Sequence, residues 1–232
     1  MTGQDISIST PDGKFGGYLA TPSAGRGPGI VVIQEIFGVN AVMRAIADSF
    51  AARGFFALAP DLFWRIAPNI QLTDKTDAEW KQAFDLFGKF NVDDGVKDIQ
   101  AAITQLRHQP GCTGKVGTVG FCLGGLLAYL SATRTDSDAI VGYYGVNIHE
   151  KIGEAKNIRR PLLLHIAAAD EYVPPAAQKQ IVDGLAGNAN VTIHVYPNMD
   201  HAFARMGGAH YDHANADLAN GRTQTFFRQH LS

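Results

Sequence analysis

Cysteine is scarce in this chain, with two residues, Cys112 and Cys122, among 232. Two cysteines build no disulfide framework, so the fold must stand on a hydrophobic core, and a free thiol suits a reducing compartment. No block of lysine or arginine is present, charged residues make up 18%, and the formal net charge is -2. That balance gives no footing for nucleic acid or an anionic membrane surface. No apolar run approaches the roughly 18 residues of a membrane span. The first residues, Met1-Thr2-Gly3-Gln4-Asp5, carry neither the basic nor the apolar stretch of a secretory leader. There is no internal repeat, low-complexity tract or linker. These absences predict a cytoplasmic protein that spans no membrane, binds no nucleic acid, folds as a single domain over 1–232 and stays a monomer.

What is present alternates between two periods. Ile6 and Ile8 alternate with polar residues before the turn signal Pro11-Asp12-Gly13, and Phe15 to Leu19 reads as the second strand of a hairpin. Ile30-Val31-Val32-Ile33 suits a strand buried on both faces. Asn40 is placed to cap a helix carrying Val42, Met43, Ile46 and Phe50, and Gly54 to stop it. Phe55 to Ala59 is the next strand, 61 to 78 a looser segment, and Val92, Val96, Ile99, Ile103 and Leu106 one face of a helix. Further strands are expected at Val116–Val119, Ala139–Val141, Leu162–Ile166 and Val191–Val195, with helices in most gaps and a last helix from about Asp212 to Phe227. Strands alternating with helices predict an α/β fold, a mostly parallel central sheet flanked by helices on both faces.

One pentapeptide carries chemistry. Gly120-Phe121-Cys122-Leu123-Gly124 follows the apolar run Val116 to Val119 and opens into Gly125-Leu126-Leu127-Ala128. A strand that ends in Gly-x-nucleophile-x-Gly and turns at once into a helix is the nucleophile elbow of α/β-hydrolases. The turn is so tight that glycine is needed two positions either side, and the nucleophile is pushed up above the sheet. Here that atom is sulfur, which makes the chain a candidate thiol hydrolase.

A thiol nucleophile needs a base and a group that orients the base. On this fold the order along the chain is nucleophile, acid, histidine. Asp170 follows the strand Leu162–Ile166, and His201 follows Val191–Val195, so both fall just past the carboxyl ends of their strands, where open sheets gather their ligands. Asp200 and Glu171 compete for the acid's role. His165 lies inside an apolar strand and reads as a core residue with its hydrogen bonds satisfied. His210 and His213 have a spacing open to a metal, but no third ligand accompanies them, and neither metal nor organic cofactor is expected.

With Gln34-Glu35-Ile36-Phe37-Gly38-Val39-Asn40, Pro60-Asp61-Leu62, Gly142-Tyr143-Tyr144-Gly145 and His201-Ala202-Phe203-Ala204-Arg205 added to the elbow, the chain resembles the dienelactone hydrolase family over nearly its whole length. The resemblance implies a triad of Cys122, His201 and Asp170. It implies that Glu35 takes the Cys122 proton when substrate binds, and that the backbone N–H groups of Leu123 and Ile36 form the oxyanion hole. It implies that Arg205 grips a substrate carboxylate, and that Tyr144 contacts substrate.

The family's dienelactone enzymes carry a second arginine before the elbow strand, together with a tyrosine and a tryptophan. An ungapped alignment through Gln82-Ala83 sets Trp80 at that arginine, and Phe84 and Phe87 at the two aromatics, with Lys81 adjacent. Trp80 and Phe84 are therefore candidate substrate contacts in a more apolar pocket. The alternative is that Trp80, Phe84 and Phe87 form an i, i+4, i+7 stripe of core. The expected reaction is hydrolysis of a small lactone or ester. A short-acyl carboxylesterase or thioesterase acting on neutral substrates is the second reading, and a non-catalytic thiol redox or ligand-binding protein the third.

Overall fold

The structure, a computed structural model, describes residues 3–232, so Met1-Thr2, the start of the N-terminal stretch, lies outside the described residues. The eight strands are ordered β1-β2-β4-β3-β5-β6-β7-β8 in a mostly parallel sheet, where β1 is Gln4–Thr10, β2 Gly13–Ala20, β3 Gly27–Ile33, β4 Phe56–Pro60, β5 Cys112–Phe121, β6 Ala139–Tyr143, β7 Leu162–Ala167 and β8 Val191–Tyr196. By contact density the chain divides into two compact units, Met1–Gly117 and Thr118–Ser232.

In the first unit β1 and β2 form the expected antiparallel hairpin, β2 runs antiparallel to β4, and β3 runs parallel to β4. Ile30, Val31, Val32 and Ile33 are wholly buried, as a strand covered on both faces requires. Each such side chain contributes roughly 1.5–3 kcal/mol through burial. Helix α1 (Ala41–Ala52) begins where Asn40 Oδ1 accepts the Val42 and Met43 N–H groups, and it ends at Arg53 before Gly54, whose φ of 95° relieves the last turn. Helix α2 (Asp77–Lys89) is capped by Thr76, and α3 (Val92–Arg107) by Asn91. On α3 the residues Val96, Ile99, Ile103 and Leu106 are buried, as their spacing predicts.

In the second unit β6, β7 and β8 are parallel, with β8 last in the order. Helix α4 (Leu123–Arg134) is buried from Leu123 through Ala132, which fits a helix apolar on every side. The connection from β6 to β7 is a 3₁₀ segment, Ile148–Asn157, rather than an α-helix, and it starts from a left-handed Asn147. Helix α5 is Pro175–Leu185. The last helix, α6 (His213–Leu231), runs past Phe227 because Leu231 is buried with it.

Candidate active site

The elbow is built by its glycines. A Cβ on Gly120 would sit 1.9 Å from the Gly124 carbonyl oxygen, and one on Gly125 would sit 2.6 Å from Gly145 Cα. No side chain fits at either place. Cys122, between them, has φ 57°, a left-handed conformation uncommon outside glycine that costs on the order of 1–3 kcal/mol. Its N–H donates to the Tyr143 carbonyl at 3.1 Å, which ties the turn to the end of β6. The thiol occupies the helix N-cap position but makes no capping hydrogen bond, so the sulfur is not spent on the backbone. Leu123 opens α4, and its N–H is among the first-turn donors that a helix leaves without an internal partner.

Two loops carry the acid and the histidine. Backbone bonds from Ala168 N to Tyr196 O (3.1 Å) and Ala169 N to Met199 O (2.8 Å) join the turn after β7 to the turn after β8. Asp170 Oδ1 accepts the Tyr172 N–H at 2.9 Å, and Oδ2 faces His201 Nδ1 at 2.8 Å. Asp170 and His201 are both buried. The carboxylate fixes the tautomer with hydrogen on Nδ1 and leaves Nε2 for the thiol. His201 lies within hydrogen-bonding reach of Cys122. Burial works against a charged imidazole, but the charge of Cys122, the hydrogen bonds with Asp170 and Cys122 and the charge of Asp170 together raise the His201 pKa to about 10.

The rival acids are placed elsewhere. Asp200 Oδ1 accepts the His201 N–H at 2.7 Å, which makes it a turn former, and Glu171 is exposed. His165 is the satisfied core histidine expected, with Nδ1 on Tyr196 Oη (2.8 Å) and Nε2 on Thr223 Oγ1 (3.0 Å). His210 Nδ1 lies 3.2 Å from the His201 carbonyl, and His213 faces Asp217. Among the described residues no group of three or more His, Cys, Asp or Glu is placed to hold a metal ion.

Tyr144 is buried with a φ of 36°, and its ring meets the His201 ring edge to face at 5.1 Å. Arg205 is buried one turn beyond His201, with its N–H on the Ala202 carbonyl. Two residues that sequence reasoning passed over also belong here. Tyr172, 41% exposed, sets its ring 4.9 Å from the same imidazole, edge to face. Gln178 of α5 donates to the carbonyls of Ala167 (3.2 Å) and Val173 (2.7 Å) and so staples the Asp170 turn from both ends. The signal for Tyr172 was its place two residues after Asp170, where an Asx turn sets its direction.

In the first unit Glu35 and Ile36 are buried just after β3, where the Gln34 side chain donates to the Glu35 carbonyl and accepts the Leu62 N–H. Trp80 packs edge-on against Phe37 at 5.0 Å, stacks on Phe84 at 5.6 Å and donates its Nε1–H to the Asp74 carbonyl. The aromatic positions do not make a core stripe. Ala83 and Leu86 are the buried residues of α2, while Phe84 is 46% exposed and Phe87 only half-buried. Lys81 reaches Asp85 on the surface at 3.3 Å.

The dienelactone hydrolase family model matches residues 15–231. The chain belongs to the dienelactone hydrolase family. A protein of Azospirillum brasilense that bears the carboxymethylenebutenolidase name provisionally is 49% identical over 98% of this chain and 99% of its own length. The carboxymethylenebutenolidase of Pseudomonas putida is 39% identical over 97% of this chain and 96% of its own. A crystal structure from Klebsiella pneumoniae, provisionally named a dienelactone hydrolase, superposes with a TM-score of 0.86 at 27% identity and covers 98% of both chains. The chain is thus a hydrolase of the lactone and ester class on an α/β-hydrolase fold. Among the described residues no helix is long and apolar enough to cross a membrane.

Proposed function

We propose that this hydrolase opens a small lactone or ester through a Cys122–His201–Asp170 triad and an acyl-thioester. The observation that carries the reading is the hydrogen-bonded line from Asp170 to His201 to a Cys122 held at positive φ on the elbow. The thiolate attacks the carbonyl carbon, and the Leu123 and Ile36 N–H groups receive the oxyanion. The carbon–oxygen bond then breaks, and the His201 imidazolium gives its proton to the leaving oxygen. Water attacks the thioester with His201 as base, the carbon–sulfur bond breaks, and the thiolate returns. Every step uses side chains and backbone N–H groups of this chain, and water.

The test is to quench the enzyme during turnover of an activated aryl acetate and locate the acyl group by mass spectrometry. An acyl thioester is expected on Cys122; a label on Cys112 alone, or none under burst conditions, overturns the reading.

The substrate class follows that of the relatives, a lactone bearing a carboxylate, with Arg205 holding the carboxylate through paired N–H donors. Arg205→Ala is expected to raise KM for an anionic lactone about 10- to 100-fold, the worth of a charged hydrogen bond, and to leave KM for a neutral aryl ester nearly unchanged. Equal effects on both substrates remove the clamp. Tyr144, Trp80 and Phe84 complete the substrate contacts in this reading.

Glu35 keeps the role that family resemblance gives it, acceptance of the Cys122 proton on substrate binding. With a slowly turned-over lactone present, Glu35→Gln is expected to slow iodoacetamide alkylation of Cys122 roughly tenfold, one unit's worth of thiolate population. An unchanged rate removes Glu35 from the activation step. The same reading takes the chain as one catalytic domain, monomeric and cytoplasmic, and the family match from 15 to 231 supports the single domain.

A further inference from the structure

A groove of about 550 Å³ opens in the second unit between β8 and α6, within the volume range of small-ligand sites. Its lining includes Arg222, His194, Thr192, Gly221, Leu218 and Phe226, and no member of the Cys122–His201–Asp170 triad. Thr192, His194 and Tyr196 alternate along β8 and share a face.

The cation in this groove is fixed but unspent. The Arg222 guanidinium lies 5.4 Å from the centre of the Tyr196 ring, and Nη1 donates to Tyr196 Oη at 3.1 Å. Tyr196 is held in turn by His165, His165 by Thr223, and Thr223 by Tyr143, so the platform beneath the arginine is a buried hydrogen-bonded network. Arg222 is half-buried and no carboxylate among the described residues pairs with it; Asp217, the acid of the same groove, faces His213 at 3.4 Å. A guanidinium has five N–H donors, and one is used.

Gly221 is the second observation. It sits in the interior of α6, where glycine weakens a helix relative to alanine. A Cβ there would meet nothing within 4 Å, so packing does not require the glycine. Its missing side chain leaves helix backbone bare on the groove wall, beside the arginine.

We propose that this groove binds a small monocarboxylate with an apolar body, the carboxylate on Arg222 with Thr192 and His194 beside it and the body along Gly221, Leu218 and Phe226. A single charge is favoured over a dianion. Arg222 is the groove's one fixed cation, Asp217 stands in the same lining, and His194 is kept neutral by its burial and by the charge of Arg222. Planar pairing with guanidinium and the apolar end wall complete the match to an aryl or alkyl carboxylate.

Benzoate titrated into the ¹⁵N-labelled protein tests this. Saturable shifts of the Gly221, Arg222 and Thr192 amides are expected. They should persist in Arg205→Ala, which separates the groove from the catalytic site, and weaken at least tenfold in Arg222→Gln. Gly221→Ala should raise Tm by about 2–4 °C through helix propensity and still weaken benzoate binding, so a poorly folded Arg222 variant does not end the test. Shifts confined to residues around Cys122 and His201, unchanged affinity in both variants, or inorganic phosphate binding as tightly as benzoate would overturn the proposal.

Discussion

Cys122→Ala is expected to lower kcat on an aryl acetate by about 10⁴-fold or more, the scale on which removal of an enzyme's nucleophile acts. The substitution leaves the elbow intact. Alanine bears the same Cβ at φ 57° as cysteine, so the backbone cost is unchanged, and a residue that makes no capping bond loses none. The second readout is spectroscopic. Two of the influences that raise the His201 pKa to about 10 are the charge of Cys122 and its hydrogen bond. Without the sulfur the ring should titrate at clearly lower pH, followed by NMR of the imidazole carbons. Linkage gives the sign of the stability effect. A histidine raised above its unfolded value near 6.5 adds stability that is whole below about pH 6.5 and is lost as pH climbs through about 10. The variant should lose the part of that increment that the sulfur supplies, with the part from Asp170 retained, and its Tm should depend less on pH across the window. Activity within tenfold of the parent would remove Cys122 as the nucleophile, and a His201 titration still near 10 would remove it as a partner that raises the imidazole pKa.

The neutral-ester reading differs from the lactone reading at one position. Trp80 stands where dienelactone enzymes carry a second arginine, and in the structure it is packed on Phe37 and Phe84, with its indole N–H already bound to the Asp74 carbonyl. It supplies apolar surface and no free donor. In the proposed lactone reading charge recognition therefore falls on Arg205, and this is why the Arg205→Ala comparison between anionic and neutral substrates separates the two readings.

Much of the site was legible because its chemistry is local in sequence. The glycines of the elbow, the order Cys122, Asp170, His201 and the position of each past a strand end are all one-dimensional signals, and the geometry has Asp170 and His201 bonded at 2.8 Å. Partners joined only through space were not legible. Tyr172 reaches the imidazole because an Asx turn swings it there, and Gln178 acts from the next helix on carbonyls that precede and follow Asp170. The aromatic spacing on α2 misled in a different way. Spacing identifies a shared face, but not what covers it, and Phe84 is half in solvent while small Ala83 is buried. The segment after β6 sets Ile148, Ile152 and Ala155 at an ordinary helical spacing, so nothing in the sequence marks it as 3₁₀, and the left-handed Asn147 that starts it leaves no mark that separates it from an ordinary asparagine.

Asp170→Asn is expected to lower kcat about 10³- to 10⁴-fold while leaving the fold in place. The asparagine Oδ1 still accepts the Tyr172 N–H, so the turn survives and Tm changes little. What changes is the proton. The aspartate accepts from Nδ1–H at 2.8 Å, which leaves Nε2 to give a proton to the leaving oxygen and to take one from the attacking water. An amide presents N–H to Nδ1 instead, which favours the opposite tautomer with hydrogen on Nε2, aimed at sulfur. That ring has no lone pair for the attacking water and cannot act as base without first turning over. The loss should appear in kcat more than in KM, because binding of the substrate is untouched. Asp200→Asn and Glu171→Gln are the controls. Asp200 meets the His201 backbone N–H through one oxygen, which asparagine also offers, and its other oxygen faces His210 near the surface, so activity within about threefold of the parent is expected for both. A reversal, with Asp170→Asn active and Asp200→Asn inert, would move the orienting acid to Asp200 and remove Asp170 from the triad.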